Sequence, residues 1–218
     1  MNVQDRRRIL GPAGAKPLAF LRTEQQEKPQ RDVRTPRYTT RVTANSNGSS
    51  LVETESMSLL TAVYGPRPTR EQQFRSNGTV NVVLSRSERF PTGQLKELGA
   101  FLVSVLESCV CLEKYPKSGI DVFVSFNIED CASLADYLVQ LIPGIVLALV
   151  DAGIEMTDLV CAGEHEGTVV CFGDAGNKIV GVWADEGPLP SDNVAELINA
   201  CRDGYTLQRG LVSTFLQQ

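Results

Sequence analysis

Histidine is nearly missing from this chain: among 218 residues, His165 is the only one. It lies in Gly163-Glu164-His165-Glu166-Gly167, where a Glu-His-Glu trio offers metal-ligand chemistry. Consecutive residues of an extended segment face alternate sides, however, so the stretch reads as a solvated hairpin tip. No metal site and no cofactor are expected. Cys-x-x-Cys pairs are missing as well. The six cysteines are Cys109, Cys111, Cys131, Cys161, Cys171 and Cys201. Several lie in apolar runs, where a free thiol behaves as a small hydrophobe, and Cys109 and Cys111 lack a histidine partner. With a polar, charged opening that carries no signal-peptide pattern, the chain reads as reduced and cytosolic or nuclear.

Long hydrophobic runs are scarce too. The longest, Leu141 to Val150, contains Pro143-Gly144 and ends at Asp151, too short to span a membrane. Gly173-Asp174-Ala175-Gly176 is a turn and not a phosphate loop, because no helix and no P-loop lysine follow it. There is no internal repeat. What remains is ordinary: 42% hydrophobic and 22% charged residues suit a globular fold with a sizeable core. The net charge of −5 argues against binding nucleic acid over the whole surface, but it is uneven. Residues 1–41 hold ten Lys/Arg against four acids, leaving a basic segment of +6 on a remainder of −11. A basic arm on an acidic body suits docking onto an acidic protein or RNA.

Residues 1–37 are polar and punctuated by Pro12, Pro17, Pro29 and Pro36, and read as an extended arm. A folded domain is expected over 38–218. Tyr38–Ala44, Leu51–Glu55, Ser58–Tyr64 and Thr79–Leu84 are β-prone, with a turn at Asn45–Gly48. A helix is predicted from about Gly93 to Leu112, with Leu95, Leu98, Leu102, Val105, Leu106 and Cys109 on one stripe. The turn Tyr115–Gly119 leads into the apolar run Ile120–Phe126, read as a buried strand. Leu134, Leu138, Leu141, Ile142, Ile145 and Leu149 then recur at helical spacing, stopping at a glycine C-cap near Asp151-Ala152-Gly153. Strands follow around Asp158–Ala162, Thr168–Phe172 and Lys178–Trp183, the last two flanking the hairpin signal Asp174–Asn177. Ser191 or Asp192 can cap a last helix, with Val194, Leu197, Ile198, Cys201, Leu207 and Leu211 at core spacing. The order of elements is α+β, mixed sheets packed with long helices.

Three pieces in a fixed order carry a resemblance: Val63-Tyr64-Gly65-Pro66-Arg67, then Tyr115-Pro116 leading into Ile120-Asp121-Val122-Phe123, then Leu147-Ala148-Leu149 with Asp151-Ala152-Gly153-Ile154. The chain resembles the RNase PH superfamily, in particular the RNase PH-like subunits of the exosome ring. Arg6-Arg7-Arg8-Ile9-Leu10-Gly11-Pro12 is similar to the opening of one eukaryotic ring member. The resemblance implies an α+β RNase PH-like domain, and for active members phosphate-dependent degradation of RNA from its 3′ end. That chemistry needs cations for the phosphate and carboxylates for proton transfer or metal binding.

Carried over residue by residue, the family's site is broken. Asp130 matches the acid after the first core strand, but Ser125 stands where a second acid is expected. Cys131-Ala132-Ser133-Leu134 replaces a small-Gly-Thr-Arg run. The arginine positions of the helix fall on Gly93, Gln94 and Val103, none cationic. The family's Arg-Pro-Asp-Gly-Arg survives only as Gln4-Asp5-Arg6-Arg7-Arg8. Asp121 is shared with the fold pattern and reads as structural. No catalytic residue is therefore expected, and the chain reads as a scaffold; a phosphorolytic subunit using Asp130 and a partner's arginines is the alternative, and a generic interaction domain a third. Arg67, Arg70 and Arg75, on a loop with few acids, are candidates for RNA phosphate contacts, against the reading of a solvated loop. No aromatic residues interleave with them, so base stacking is not implied. The strand Ala62–Gly65 is expected to offer its edge to a partner. The resemblance further implies other RNase PH-like subunits as partners in a six-membered ring, OB-fold and KH cap subunits, an associated hydrolytic ribonuclease, RNA in the channel, and residence in nucleus, nucleolus and cytoplasm.

Overall fold

The computed structural model describes residues 35–68, 76–87, 89–129, 133–185 and 194–218. Residues 1–34 of the expected arm 1–37 lie outside them; the body begins at Thr35, and Arg37, expected in the arm, opens its first strand. The described residues form two sheets and three α-helices. Strands β1 (Arg37–Thr40), β2 (Gly48–Glu53), β3 (Met57–Pro68), β4 (Thr79–Leu84) and β5 (Ser118–Glu129) form one sheet in the order β1-β2-β3-β5-β4. Neighbours are antiparallel except β4 and β5, which run parallel. The helix α1 (Thr92–Cys109) makes the crossover between those two, as a parallel pair requires. Strands β6 (Cys161–His165), β7 (Thr168–Gly173) and β8 (Lys178–Ala184) form an antiparallel second sheet.

The helix α2 (Leu134–Asp151) is the centre of the core. It packs against β2 and β3 of the first sheet and against β6 and β7 of the second. Every residue from Leu141 to Leu149 is buried. The whole helix is 18 residues with a mean hydropathy of 1.7, long and apolar enough to cross a membrane, which the run Leu141–Val150 alone did not suggest. Its position between two sheets accounts for that composition, since most of it is buried and only its ends and the side bearing Asp136, Val139, Gln140 and Val150 reach water. It ends as its sequence predicts, with Ala152 as C-cap and Gly153 at φ +71°.

The last helix, α3 (Val194–Leu216), covers β6 and β7. Gly163 allows this: a Cβ there would lie 1.7 Å from the carbonyl oxygen of Cys201. The buried stripe of α3 is Leu197, Cys201, Tyr205, Gln208 and Val212, a four-four-three-four progression along one face. Leu207 and Val194, expected in the core, fall off that stripe and are exposed. Ser191 and Asp192, the expected caps, lie outside the described residues.

Two further expectations are corrected. Asp158–Val160 is not strand; β6 starts at Cys161, because Asp158 is held by the Arg209 guanidinium and by the N–H of Ala175. Ala62 and Val63 offer no free edge, because they are paired with β2 on one side and β5 on the other; the β2 ladder ends at Val63, and beyond it the Gly65 N–H donates to the Asn47 side chain. The edges of that sheet are β1 and β4.

Candidate nucleic-acid interface

Strand β5 joins the site positions to the core. Ile120, Val122 and Val124 point inward and are buried, so Asp121, Phe123 and Ser125 point outward. The run Ile120–Phe126 is therefore buried on one face, not two. Ser125 pairs with Leu60 and is half-buried, a neutral hydroxyl that brings no charge to the sheet. Asp130 lies outside the described residues. Gln94 is exposed and Val103 half-buried on α1. Nine residues at about 100° each place them about half a turn apart, on opposite flanks of the helix's buried stripe. The glycine Gly93 precedes them and is exposed. Among Gly93, Gln94, Val103 and Ser125 there is no cation and no carboxylate.

The N-terminus of α2 is also occupied. Its cap is Ser133, whose Oγ accepts from the Ala135 N–H at 3.1 Å. The Asp185 carboxylate, just past β8, accepts from the Leu134 N–H at 3.1 Å and from the Ser133 hydroxyl at 3.2 Å. A resident carboxylate thus holds the end of the helix that favours anions. Below it Tyr137 is buried between Phe90 and Phe126, ring centroids 5.4 and 5.7 Å away, which ties α2 to the sheet.

The Glu-His-Glu segment is the hairpin tip its sequence indicates. His165 pairs with Thr168, Glu166 and Gly167 adopt positive φ of 50° and 77°, and the Glu164 carboxylate accepts from the Gly167 N–H. Among the described residues no group of three His, Cys, Asp or Glu side chains is placed to hold a metal. Asp121 accepts from the Asn81 amide at 3.3 Å across β4 and β5.

Arg67 is where the structure adds to the sequence. Between Tyr64–Asp121 and Arg67–Gly119, β3 advances three residues while β5 advances two, a one-residue bulge. The bulge passes through Gly65 at φ +137°, where a Cβ would come within 2.7 Å of the Gly119 carbonyl. Strict alternation would put Arg67 on the face opposite Tyr64; the extra residue returns it to the same one. Its guanidinium lies 4.9 Å from the centre of the Tyr64 ring, and Tyr64 meets Phe123 edge-on at 5.6 Å. Aromatic rings therefore do accompany this arginine, against the expectation from sequence. Lys117, exposed, precedes the Ser118 that pairs with Pro68, so a second cation borders the same corner. Arg70 and Arg75 lie outside the described residues. The missed signal was Phe123, an aromatic residue alternating with three buried aliphatic ones.

This sheet-and-helix arrangement is that of known proteins. The family model described as 3′ exoribonuclease family, domain 1 (RNase PH), matches residues 32–155, more than half of the chain. The chain belongs to the RNase PH family. The exosome complex component Rrp41 of Pyrococcus horikoshii is 32% identical over 142 residues, covering 59% of this chain and 55% of that protein. Its counterpart from Pyrobaculum aerophilum is 34% identical over 143 residues, covering 59% and 56%. This RNase PH chain thus spans little more than half the length of the curated relatives it matches. Among solved structures, rice Rrp46 superposes with a TM-score of 0.71 at 19% identity, over 85% of this chain and 95% of that one. An archaeal exosome core chain gives 0.64 at 14% identity, over 82% and 86%. At such identities the likeness is one of RNase PH fold, and its coverage of 85% and 82% of the chain exceeds that of the family model.

Proposed function

We propose that this chain is a non-catalytic RNase PH-like subunit of the RNA exosome core ring, the counterpart of its messenger-RNA-transport subunit, which supports 3′-to-5′ RNA processing and turnover by scaffolding the ring and its channel. The observation that carries the reading is at α2. Where the resemblance places a small-Gly-Thr-Arg run for an anion, the helix N-terminus is closed by Ser133 and the Asp185 carboxylate. Phosphate brought there would meet a fixed negative charge, and Gly93, Gln94 and Val103 supply no cation to offset it. The exosome names of the Rrp41 relatives and of the rice and archaeal structures support the ring. The partners that follow are other RNase PH-like subunits, OB-fold and KH cap subunits, a hydrolytic ribonuclease and RNA; the compartments are nucleus, nucleolus and cytoplasm.

A phosphorolytic subunit is the second reading. It is favoured by the family's description as exoribonucleases and by the likeness to a chain of the Archaeoglobus fulgidus exosome with RNA bound to the active site, at a TM-score of 0.63. Co-expression with RNase PH-like partners, followed by mass measurement and RNA shortening with and without phosphate, separates the two. A stable heterodimer or ring without phosphate-dependent shortening is expected. Shortening that needs phosphate and vanishes with Asp130→Ala would make the subunit catalytic.

A further inference from the structure

We propose that the outer face of the five-stranded sheet around Phe123 is a stacking platform for the bases of single-stranded RNA, with Arg67 holding an adjoining phosphate. Register builds the platform. Across the sheet, Ala62, Phe123 and Val83 form one outward row, and Tyr64, Asp121 and Asn81 form the next. Phe123 is 42% exposed and Val83 40%, on a face left open among the described residues. A phenylalanine held at the middle of a rigid sheet loses little rotamer freedom when a flat ring settles on it. The second row brings the polar part: Asn81 spends one amide hydrogen on Asp121 and keeps its oxygen and second hydrogen for a base edge.

The occupant is argued from what surrounds the ring. A partner protein's apolar surface would match Phe123, Val83 and Ala62, but it would strand the Asp121–Asn81 pair and the Arg67 guanidinium in a dry interface. A nucleotide meets them with ring on ring, base edge on the Asn81 amide and phosphate on the Arg67 cation, a base N–H and not the phosphate facing the Asp121 carboxylate. The bulge at Gly65 turns Arg67 to this face, and Lys117 lies at the same corner. Base faces are open to such a platform only when unpaired, so the substrate class is single-stranded RNA without sequence preference. Because few cations take part, binding depends more on stacking than on counterion release, and its salt dependence is shallow.

The proposal rests on the reading that RNA passes this subunit, but it does not require the subunit to be inert. The test uses the 218-residue chain and a labelled single-stranded oligouridylate of about ten nucleotides, titrated by fluorescence anisotropy at several salt concentrations. Phe123→Ala and Phe123→Leu are both expected to weaken binding about tenfold at every salt, and Phe123→Tyr to retain it. Arg67→Ala is expected to lower affinity and reduce the salt slope by about 0.7. Unchanged circular dichroism melting of Phe123→Leu keeps the comparison one of binding. Wild-type affinity in Phe123→Leu overturns the proposal, and so does an absence of binding by the wild-type chain. Loss of association with an RNase PH-like partner in Phe123→Ala, at unchanged RNA affinity, overturns it in favour of a protein interface. Phosphate-dependent shortening by the ring would refute the scaffold reading and leave these affinities standing.

Discussion

Asp158 and Arg209 meet in a two-pronged ion pair across the second half of the chain, Nη1 to Oδ2 at 2.7 Å and Nη2 to Oδ1 at 2.8 Å. The same carboxylate accepts from the Ala175 N–H at 2.8 Å, and Arg209 donates to the Tyr205 hydroxyl. One side chain thus pins the approach to β6, the β7–β8 turn and α3 together. Burial alone would raise the Asp158 pKa, but the Arg209 guanidinium and the N–H groups of Ala175 and Leu159 bring it below its ordinary 3.8. A carboxyl depressed in the folded state contributes stability that is present above its unfolded value. That contribution is lost as the pH falls from 3.8 through the lower folded value. Asp158→Asn is expected to cost about 1–2 kcal/mol at neutral pH, for a half-buried pair with good geometry. Urea midpoints from pH 7 downwards check this. The gap between wild type and Asp158→Asn should close in acid, and a gap constant with pH would assign the loss to packing.

Glycine contacts give a second, purely steric prediction. A Cβ at Gly163 would fall 1.7 Å from the Cys201 carbonyl oxygen and 2.9 Å from the Tyr205 nitrogen, all backbone. Neither helix nor strand can turn a side chain away, so α3 must lift off β6. Gly163→Ala is expected to lose about 3 kcal/mol, with Leu197 and Cys201 less well packed. Gly153→Ala is the control: nothing lies within 4 Å, and only its φ of +71° opposes the change. Its cost should be about 1 kcal/mol. Equal losses in chemical denaturation would mean that α3 rides less closely on β6 than the contact distances require.

Much of this architecture was readable because its determinants are local. Leu134 to Leu149 repeat at helical spacing, Thr79–Leu84 carries strand-forming residues at every position but Asn81, and Gly153 stops α2 where it stands. What was not readable depends on pairs far apart in sequence. Asp158 left the strand because of Arg209, 51 residues on. The α2 cap includes Asp185 from beyond the second sheet. Arg67 joined Tyr64 because β3 gains a residue against β5, and no pattern within Val63–Arg67 shows where the partner strand lies. The same holds for Phe123, whose outward side was hidden in a run of apolar neighbours. Register is a property of two strands, and one strand's composition does not contain it.

Thiol chemistry offers a third test. Burial is the main cause that pushes Cys109, Cys161 and Cys171 up to about 12 and Cys201 to about 11. At pH 8 those four hold almost no thiolate, the form that attacks an alkylating reagent. Cys111 is half-buried and has access to solvent. Brief treatment with iodoacetamide followed by peptide mass mapping should modify Cys111 while leaving Cys109, Cys161, Cys171 and Cys201 unmodified. Denaturant should expose them all. Native modification of Cys161 or Cys171 would mean that β6 and β7 open far more readily than a sheet enclosed by α2 and α3 allows.

The closed end of α2 can be tested through its energetics as well as its chemistry. Ser133 and Asp185 share one hydrogen bond, and each also satisfies a separate backbone N–H, of Ala135 and Leu134 respectively. Removing either should cost about 1 kcal/mol, the usual value of a helix cap. Because the two side chains act on each other, Ser133→Ala with Asp185→Ala should cost less than the sum, by about 0.5 kcal/mol or more. Additive losses would deny the coupling, and with it the claim that the carboxylate is held at the helix terminus by more than its own contact to Leu134. Opening the site does not supply what the phosphate reaction needs, since no cation stands at Gly93, Gln94 or Val103. On the scaffold reading, ring preparations carrying Asp185→Ala should therefore show no phosphate-dependent RNA shortening. Activity gained by that single change would show that the carboxylate alone had kept a competent site silent.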